Sequence, residues 1–194
     1  APAKFSRAIH QANLDDPKEN EFIIEGPMGT GLELTPNSSG LHIIICAGTG
    51  ILPFLDFLNF LLLNTFYQIL KEKSPENAER MKELGIEFEN VFPNLQVKLL
   101  AAFADPKEIY GFDIIRNLAH LSKAYKKNIF EAKITKCDDE YIEKIEGRFH
   151  RELFQKYFDQ NSTRYYVCGP PKFNQEMPEN LLKMGISRDK ILLN

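Results

Sequence analysis

Leu41-His42-Ile43-Ile44-Ile45-Cys46-Ala47-Gly48-Thr49-Gly50-Ile51-Leu52-Pro53-Phe54 passes from an apolar run rich in isoleucine, through two glycines, to a segment led by proline. Between Leu41 and Cys46 only His42 is polar, the pattern of a strand covered on both faces rather than one that alternates between core and solvent. Gly48 and Gly50 interrupt the run. Pro53 then sits where a helix tolerates proline, in a first turn whose N–H groups have no intrahelical partner anyway. Strand, glycine turn and helix in this order form the repeating unit of a parallel sheet with crossover helices. A helix is expected from Pro53 to Lys73.

The same alternation continues downstream. Strands are expected at Leu95–Phe103 (LQVKLLAAF), Ile129–Thr135 (IFEAKIT) and Thr163–Cys168 (TRYYVC), with Lys190–Leu193 as a closing strand. Helices are expected over Phe112–Lys126, Gly147–Phe158 and Phe173–Met184, the last stopped by Gly185. Ser74–Pro93, rich in Glu, Asn and Lys, reads as a polar surface insertion. The expected fold is α/β: a doubly wound, mostly parallel five-stranded sheet with helices on both faces. Upstream, Phe22-Ile23-Ile24 reads as a strand that runs into a Gly/Pro turn (26–31), and Pro36-Asn37-Ser38-Ser39-Gly40 reads as a linker. The domain boundary is placed there, giving units 1–35 and 36–194.

Composition removes several classes of function. The 194 residues are 43% hydrophobic and 26% charged, the balance of a globular protein. Lys+Arg 24 against Asp+Glu 27 leaves a net charge of −3, without the basic excess that phosphate-backbone binding requires, so no nucleic-acid partner is expected. Cys46, Cys137 and Cys168 are too scattered for a disulfide framework, and with the scattered histidines they give no metal-ligand spacing. The apolar stretch Ile51–Leu63 is shorter than the ~20 residues of a membrane span. It also carries Asp56 and Asn59. Apolar residues all round this segment point to a buried crossover helix rather than a membrane-surface element. No signal peptide is visible, so the cytoplasm is expected, as a free protein or as the soluble domain of a membrane-associated one. The start at Ala1-Pro2-Ala3 without Met reads as a fragment.

Two strand-to-helix turns carry the chemistry. In Cys46–Pro53, Gly48 and Gly50 would let the backbone approach a pyrophosphate and adopt positive φ. The helix that follows offers free N–H groups and partial positive charge, and Thr49 adds a hydroxyl. A plain glycine turn explains the same residues, since this is neither G-x-G-x-x-G nor a P-loop. In Tyr166-Val167-Cys168-Gly169-Pro170-Pro171-Lys172-Phe173, a second strand meets a Gly/Pro turn. Cys168 could lie beside a bound ring, or be a small buried apolar residue. In a doubly wound sheet both turns open on one edge, where ligands bind.

The pair AGTGILPF (Ala47–Phe54) and VCGPPKF (Val167–Phe173) resembles the nicotinamide-binding domain of the ferredoxin-NADP reductase superfamily, with cytochrome b5 reductases and the flavin modules of nitrate reductases nearest in appearance. Gly48, Thr49, Gly50 and Pro53 match the family pattern, whereas Ala47, Leu52 and Phe173 depart from it and an aromatic terminus is missing. Upstream, Phe22–Gly29 is similar to the end of the family's FAD-binding barrel, and Ser6 to the serine that holds the flavin pyrophosphate. The resemblance implies a hydride relay from NADH or NADPH to FAD and on to an acceptor protein or haem. Gly48, Thr49, Gly50 and Pro53 would hold the dinucleotide. Cys168, the candidate catalytic residue, would sit with Gly169, Pro170, Pro171 and Phe173 beside the nicotinamide. Asp105, just after the second strand, would accept from a ribose 2′-OH and favour NADH, although Asp105-Pro106 equally suits a turn or a helix cap. Most of the flavin barrel is absent from these residues, so the flavin domain and the acceptor are expected as partners outside this chain. A non-catalytic nucleotide-binding or regulatory module on the same fold is the alternative.

Overall fold

The computed structural model describes residues 31–85, 91–147, 149 and 162–193. The chain divides into two compact units, Ala1–Gly31 and Leu32–Asn194, and every element below belongs to the second. Ser6, the barrel-like strand and nearly all of the helix expected over Gly147–Phe158 lie outside the described residues.

The order is β1 (Gly40–Ala47), a 3-10 turn (Gly48–Ile51), α1 (Leu52–Lys73), α2 (Pro75–Glu83), β2 (Leu95–Ala102), α3 (Phe112–Ala124), β3 (Phe130–Thr135), β4 (Glu143–Ile145), β5 (Arg164–Cys168), α4 (Pro171–Lys183) and β6 (Ile191–Leu193). They form one sheet in the order β4-β3-β2-β1-β5-β6, with every neighbouring pair parallel. Among the described residues the sheet therefore has six strands where the sequence reading counted five. The addition is β4, whose three residues Glu-Lys-Ile carry a single buried apolar side chain and so give no strand signal of their own. Its pairing is supported by the ion pair of Lys133 with its register partner Glu143. The polar insertion is also partly regular: α2 starts at Pro75 and buries only Ala78.

Burial on both sides explains the isoleucine run. Ile44 and Cys46 of β1 face a core shared with Phe54, Leu58 and Leu61 of α1 and Ile115 and Leu118 of α3. Ile43 and Ile45 face the opposite core, with Met177 and Leu181 of α4. Each fully buried large aliphatic or aromatic side chain stabilises the fold by about 1.5–3 kcal/mol. One expectation is corrected here: α1 is not enclosed all round. Leu52, Phe60, Leu63 and Phe66 remain 37–50% exposed on its outer face. Gly48–Lys73 is, by length and composition, a stretch that could cross a membrane (mean hydropathy 1.4), but here it is the crossover helix of the sheet.

At the amino end of β1, buried His42 links two elements. Its Nε2 lies 3.2 Å from the Ser39 carbonyl, so Nε2 carries the hydrogen, and Nδ1 accepts from the Tyr166 hydroxyl at 2.9 Å. Burial holds His42 below its ordinary value and Arg164 acts in the same direction, against the Ser39 carbonyl, which favours the charged form. The unfolded chain thus takes up a proton near pH 6.5 before the folded chain does. The contribution is complete above that pH and is lost as pH falls through the lower folded value. The urea midpoint is expected to drop as pH is lowered below about 6.5, and His42→Gln to flatten that part of the profile. An unchanged slope in His42→Gln would assign the pH dependence to other groups.

Candidate functional site

Strands β2, β3 and β4 extend from one side of β1, and β5 and β6 from the other, so the order reverses between β1 and β5. Such a switch point opens a crevice at the carboxyl ends of the strands. The two turns read from the sequence lie there: β1 runs directly into Gly48–Ile51, and β5 into Gly169-Pro170. Their register is in step, with Cys46 opposite Cys168.

The two turns touch. A Cβ built on Gly50 would run into the Cys168 carbonyl and come to 2.8 Å from Gly169 Cα. One on Gly169 would lie 2.7 Å from Phe173 Cδ1 and 3.3 Å from Ala47 Cβ. This corrects the reason given for Gly50. Only Gly48 has positive φ, at 54°, whereas Gly50 is glycine because the opposite turn leaves no room for a side chain. Gly48 is the reverse case, with nothing within 4 Å of a built Cβ. Its backbone is open, and that is the space a ligand's phosphates would need.

Helix ends supply the electrostatics. Neither the 3-10 turn nor α1 has a side-chain cap, no acidic residue stands in either first turn, and Pro53 occupies a first-turn position. Pro171 begins α4, Pro170 stands at its cap position, and this helix also lacks a side-chain cap. Uncapped N–H groups at a helix start favour an anion. Thr49 is exposed beside Gly48. Burial pushes the Cys168 thiol up, so at rest it is protonated and presents a neutral, polarisable surface. Asn174, one turn into α4, has a buried Oδ1 with no hydrogen-bond partner among the described residues. Sequence reading missed it, because nothing local marks an asparagine whose oxygen will be left over.

Asp105 follows β2, where its Oδ1 accepts from the Lys107 N–H at 2.8 Å and begins a short 3-10 helix. The cap reading is therefore realised. A carboxylate has capacity beyond that one bond. The segment is fixed by Thr135, whose hydroxyl accepts from the Phe103 N–H at 2.8 Å and donates to the Phe103 carbonyl at 3.1 Å. Beside it a cleft of about 520 Å³ opens at the ends of β2, β3 and β4, lined by Phe103, Ala104, Lys136, Lys144, Glu146 and Gly147 among others. Asp105 borders this cleft in sequence but does not line it. A groove of about 200 Å³ lies at the other end of the strands, between α1 and Val91–Pro93, away from both turns.

Residues 44–178 match the family described as oxidoreductase NAD-binding domain. Oxidoreductase NAD-binding domain-containing protein 1 from Danio rerio is 38% identical over 48 residues, 25% of this chain and 18% of that protein. The CS-b5R domains of human Ncb5or in the NAD+ form superpose with a TM-score of 0.52 at 15% identity, covering 94% of this chain and 46% of that one. The flavohem-like FAD/NAD-binding domain of nitric oxide dioxygenase from Vibrio cholerae O1 biovar El Tor gives 0.50 at 20% identity, covering 87% and 55%. At these identities the structural likeness concerns the fold alone, and the chain spans about half of each of those solved chains. The family match runs from the central strand, through both turns, into α4, and on that basis the chain belongs to the oxidoreductase NAD-binding domain family.

Proposed function

We propose that this chain is the pyridine-nucleotide half of a flavin-dependent reductase. It would bind NADH in preference to NADPH across the two touching turns and present the nicotinamide to an FAD held by a flavin domain. The observation that carries the reading is the contrast between the two glycines of the first turn. Gly50 is consumed by packing, while Gly48 is left open at an uncapped helix start. Gly48, Thr49 and Gly50 would hold the pyrophosphate at this turn. Cys168 and Gly169 would lie against the nicotinamide, with Pro170, Pro171 and Phe173 fixing the turn that presents them. Asp105 would face the adenosine ribose.

When bound, the nicotinamide supplies the hydride. The chain's own residues orient the ring and keep water from it, work that depends on rigid placement rather than on an acid or a base. The neutral Cys168 thiol suits that role, because a thiolate there would attack or repel. Electrons would leave through the flavin to an acceptor protein or haem. Three free thiols fit a reducing compartment such as the cytoplasm.

Two substitutions separate binding from folding. Gly48→Asp meets no neighbour, and Asp tolerates the left-handed region better than most residues, but it sets a negative charge in the phosphate cradle. Calorimetric titration is expected to show NADH affinity falling by about tenfold or more, ~1.4 kcal/mol, with the melting temperature nearly unchanged. Gly48→Asn serves as the neutral control. Gly50→Ala is expected instead to cost about 1–3 kcal/mol of stability in urea, because its Cβ has no room. Equal NADH affinity in wild type and Gly48→Asp would remove the proposed cradle.

Asp105→Ser tests cofactor choice. With the carboxylate gone, the NADH over NADPH preference is expected to narrow as NADPH binding improves, since a 2′-phosphate no longer meets a like charge and Lys136 and Lys144 line the neighbouring cleft. An unchanged ratio would leave Asp105 with its capping role alone.

A further inference from the structure

Cys46 and Cys168 stand opposite one another at the carboxyl ends of β1 and β5. Register partners project to the same face of a sheet, and both cysteines join the core under α1. Neighbouring strands run ~4.8 Å apart, inside the ~4.4–6.8 Å Cα separation that a disulfide spans. Both are free thiols, and they are near enough that the charge of one disfavours ionisation of the other. Their depths differ: Cys46 is fully enclosed, whereas Cys168 keeps 9% exposure next to the half-buried Gly169. Cys137, the remaining cysteine, follows β3 and is separated from β1 by β2.

We propose that Cys46 and Cys168 form an oxidisable dithiol beneath the two touching turns, with Cys168 the sulfur that hydrogen peroxide reaches and Cys46 the one that resolves it. The Cys168 thiol takes one oxygen from peroxide, giving a sulfenic acid and releasing water. The Cys46 sulfur then attacks the Cys168 sulfur. The S–S bond forms, the S–O bond breaks, and the Cys46 proton leaves with the hydroxyl as a second water. Two thiols are thereby oxidised by two electrons and one peroxide is reduced to two waters. Burial keeps both thiols protonated, so the pair stays reduced in the absence of excess peroxide. Once formed, the bond would tie β1 to β5 directly beneath the Cys168 carbonyl against which Gly50 packs. Only this consequence for the nucleotide rests on the function proposed above.

The test treats the folded native chain with hydrogen peroxide, alkylates free thiols after denaturation, and maps the peptides. The expected result is a peptide pair linked through Cys46 and Cys168, with Cys137 alkylated and the link removed by dithiothreitol. Cys46→Ala, a small-for-small change in the core, is expected to abolish the link and leave a dimedone-trappable sulfenic acid on Cys168. A link that includes Cys137, or Cys168 oxidised to the sulfinic acid while Cys46 stays alkylatable in the native chain, would overturn the proposal. NADH titration of the linked chain is read separately. Weaker binding than in the reduced chain is expected, and an equal affinity would overturn the placing of the pair beneath the nucleotide while the peptide map still reports on the dithiol itself.

Discussion

Gly50 has no room for a side chain because the backbone of Cys168 and Gly169 already occupies it. That contact joins residues far apart in sequence, and the arrangement of the site follows from it. It holds the β1 turn against the β5 turn, so that two strand ends on either side of the switch point act as one rigid rim. Two residues before Gly50, Gly48 has positive φ and open space around its α-carbon. The parallel strands beneath supply the rigidity, each end of the rim being anchored by residues buried in the two cores.

In its reduced state the rim offers positioning groups rather than an acid or a base. Its thiol is held neutral by burial, its helix starts carry no acidic side chain, and the Asp105 carboxylate after β2 is already engaged in a turn. A site of this kind can place an anionic, planar ligand and exclude water while a cofactor carries out the bond chemistry. Asp105 and Lys136 follow β2 and β3, so charged side chains of opposite sign stand at the carboxyl ends of adjacent strands.

Much of this was legible in the sequence because the relevant signals are local. The isoleucine run of β1, the proline-led start of α1 and the two Gly/Pro turns each mark their own element, and strand order places the turns together. β4 was not legible, because Glu143–Ile145 is identified by the strand it pairs with and not by its own hydrophobicity. α2 carried the start signals Ser74 and Pro75, but its one buried residue left no apolar face to read. The requirement for glycine at position 50 and the alignment of Cys46 with Cys168 depend on register between strands, which no window along the chain contains. The exposed flank of α1 was misread for a related reason: an apolar residue does not reveal whether a neighbour will cover it.

The central claim is that nucleotide binds at the carboxyl edge across the two turns. Its most direct test is an NMR titration of the isotopically labelled chain with NADH, following backbone amides. The account predicts saturable shifts concentrated at Gly48–Ile51, Cys168–Gly169 and the first turn of α4, with the groove formed by Val91–Pro93 and α1 unperturbed. Saturable shifts confined to that groove, or no shifts at either turn at millimolar NADH, would contradict it.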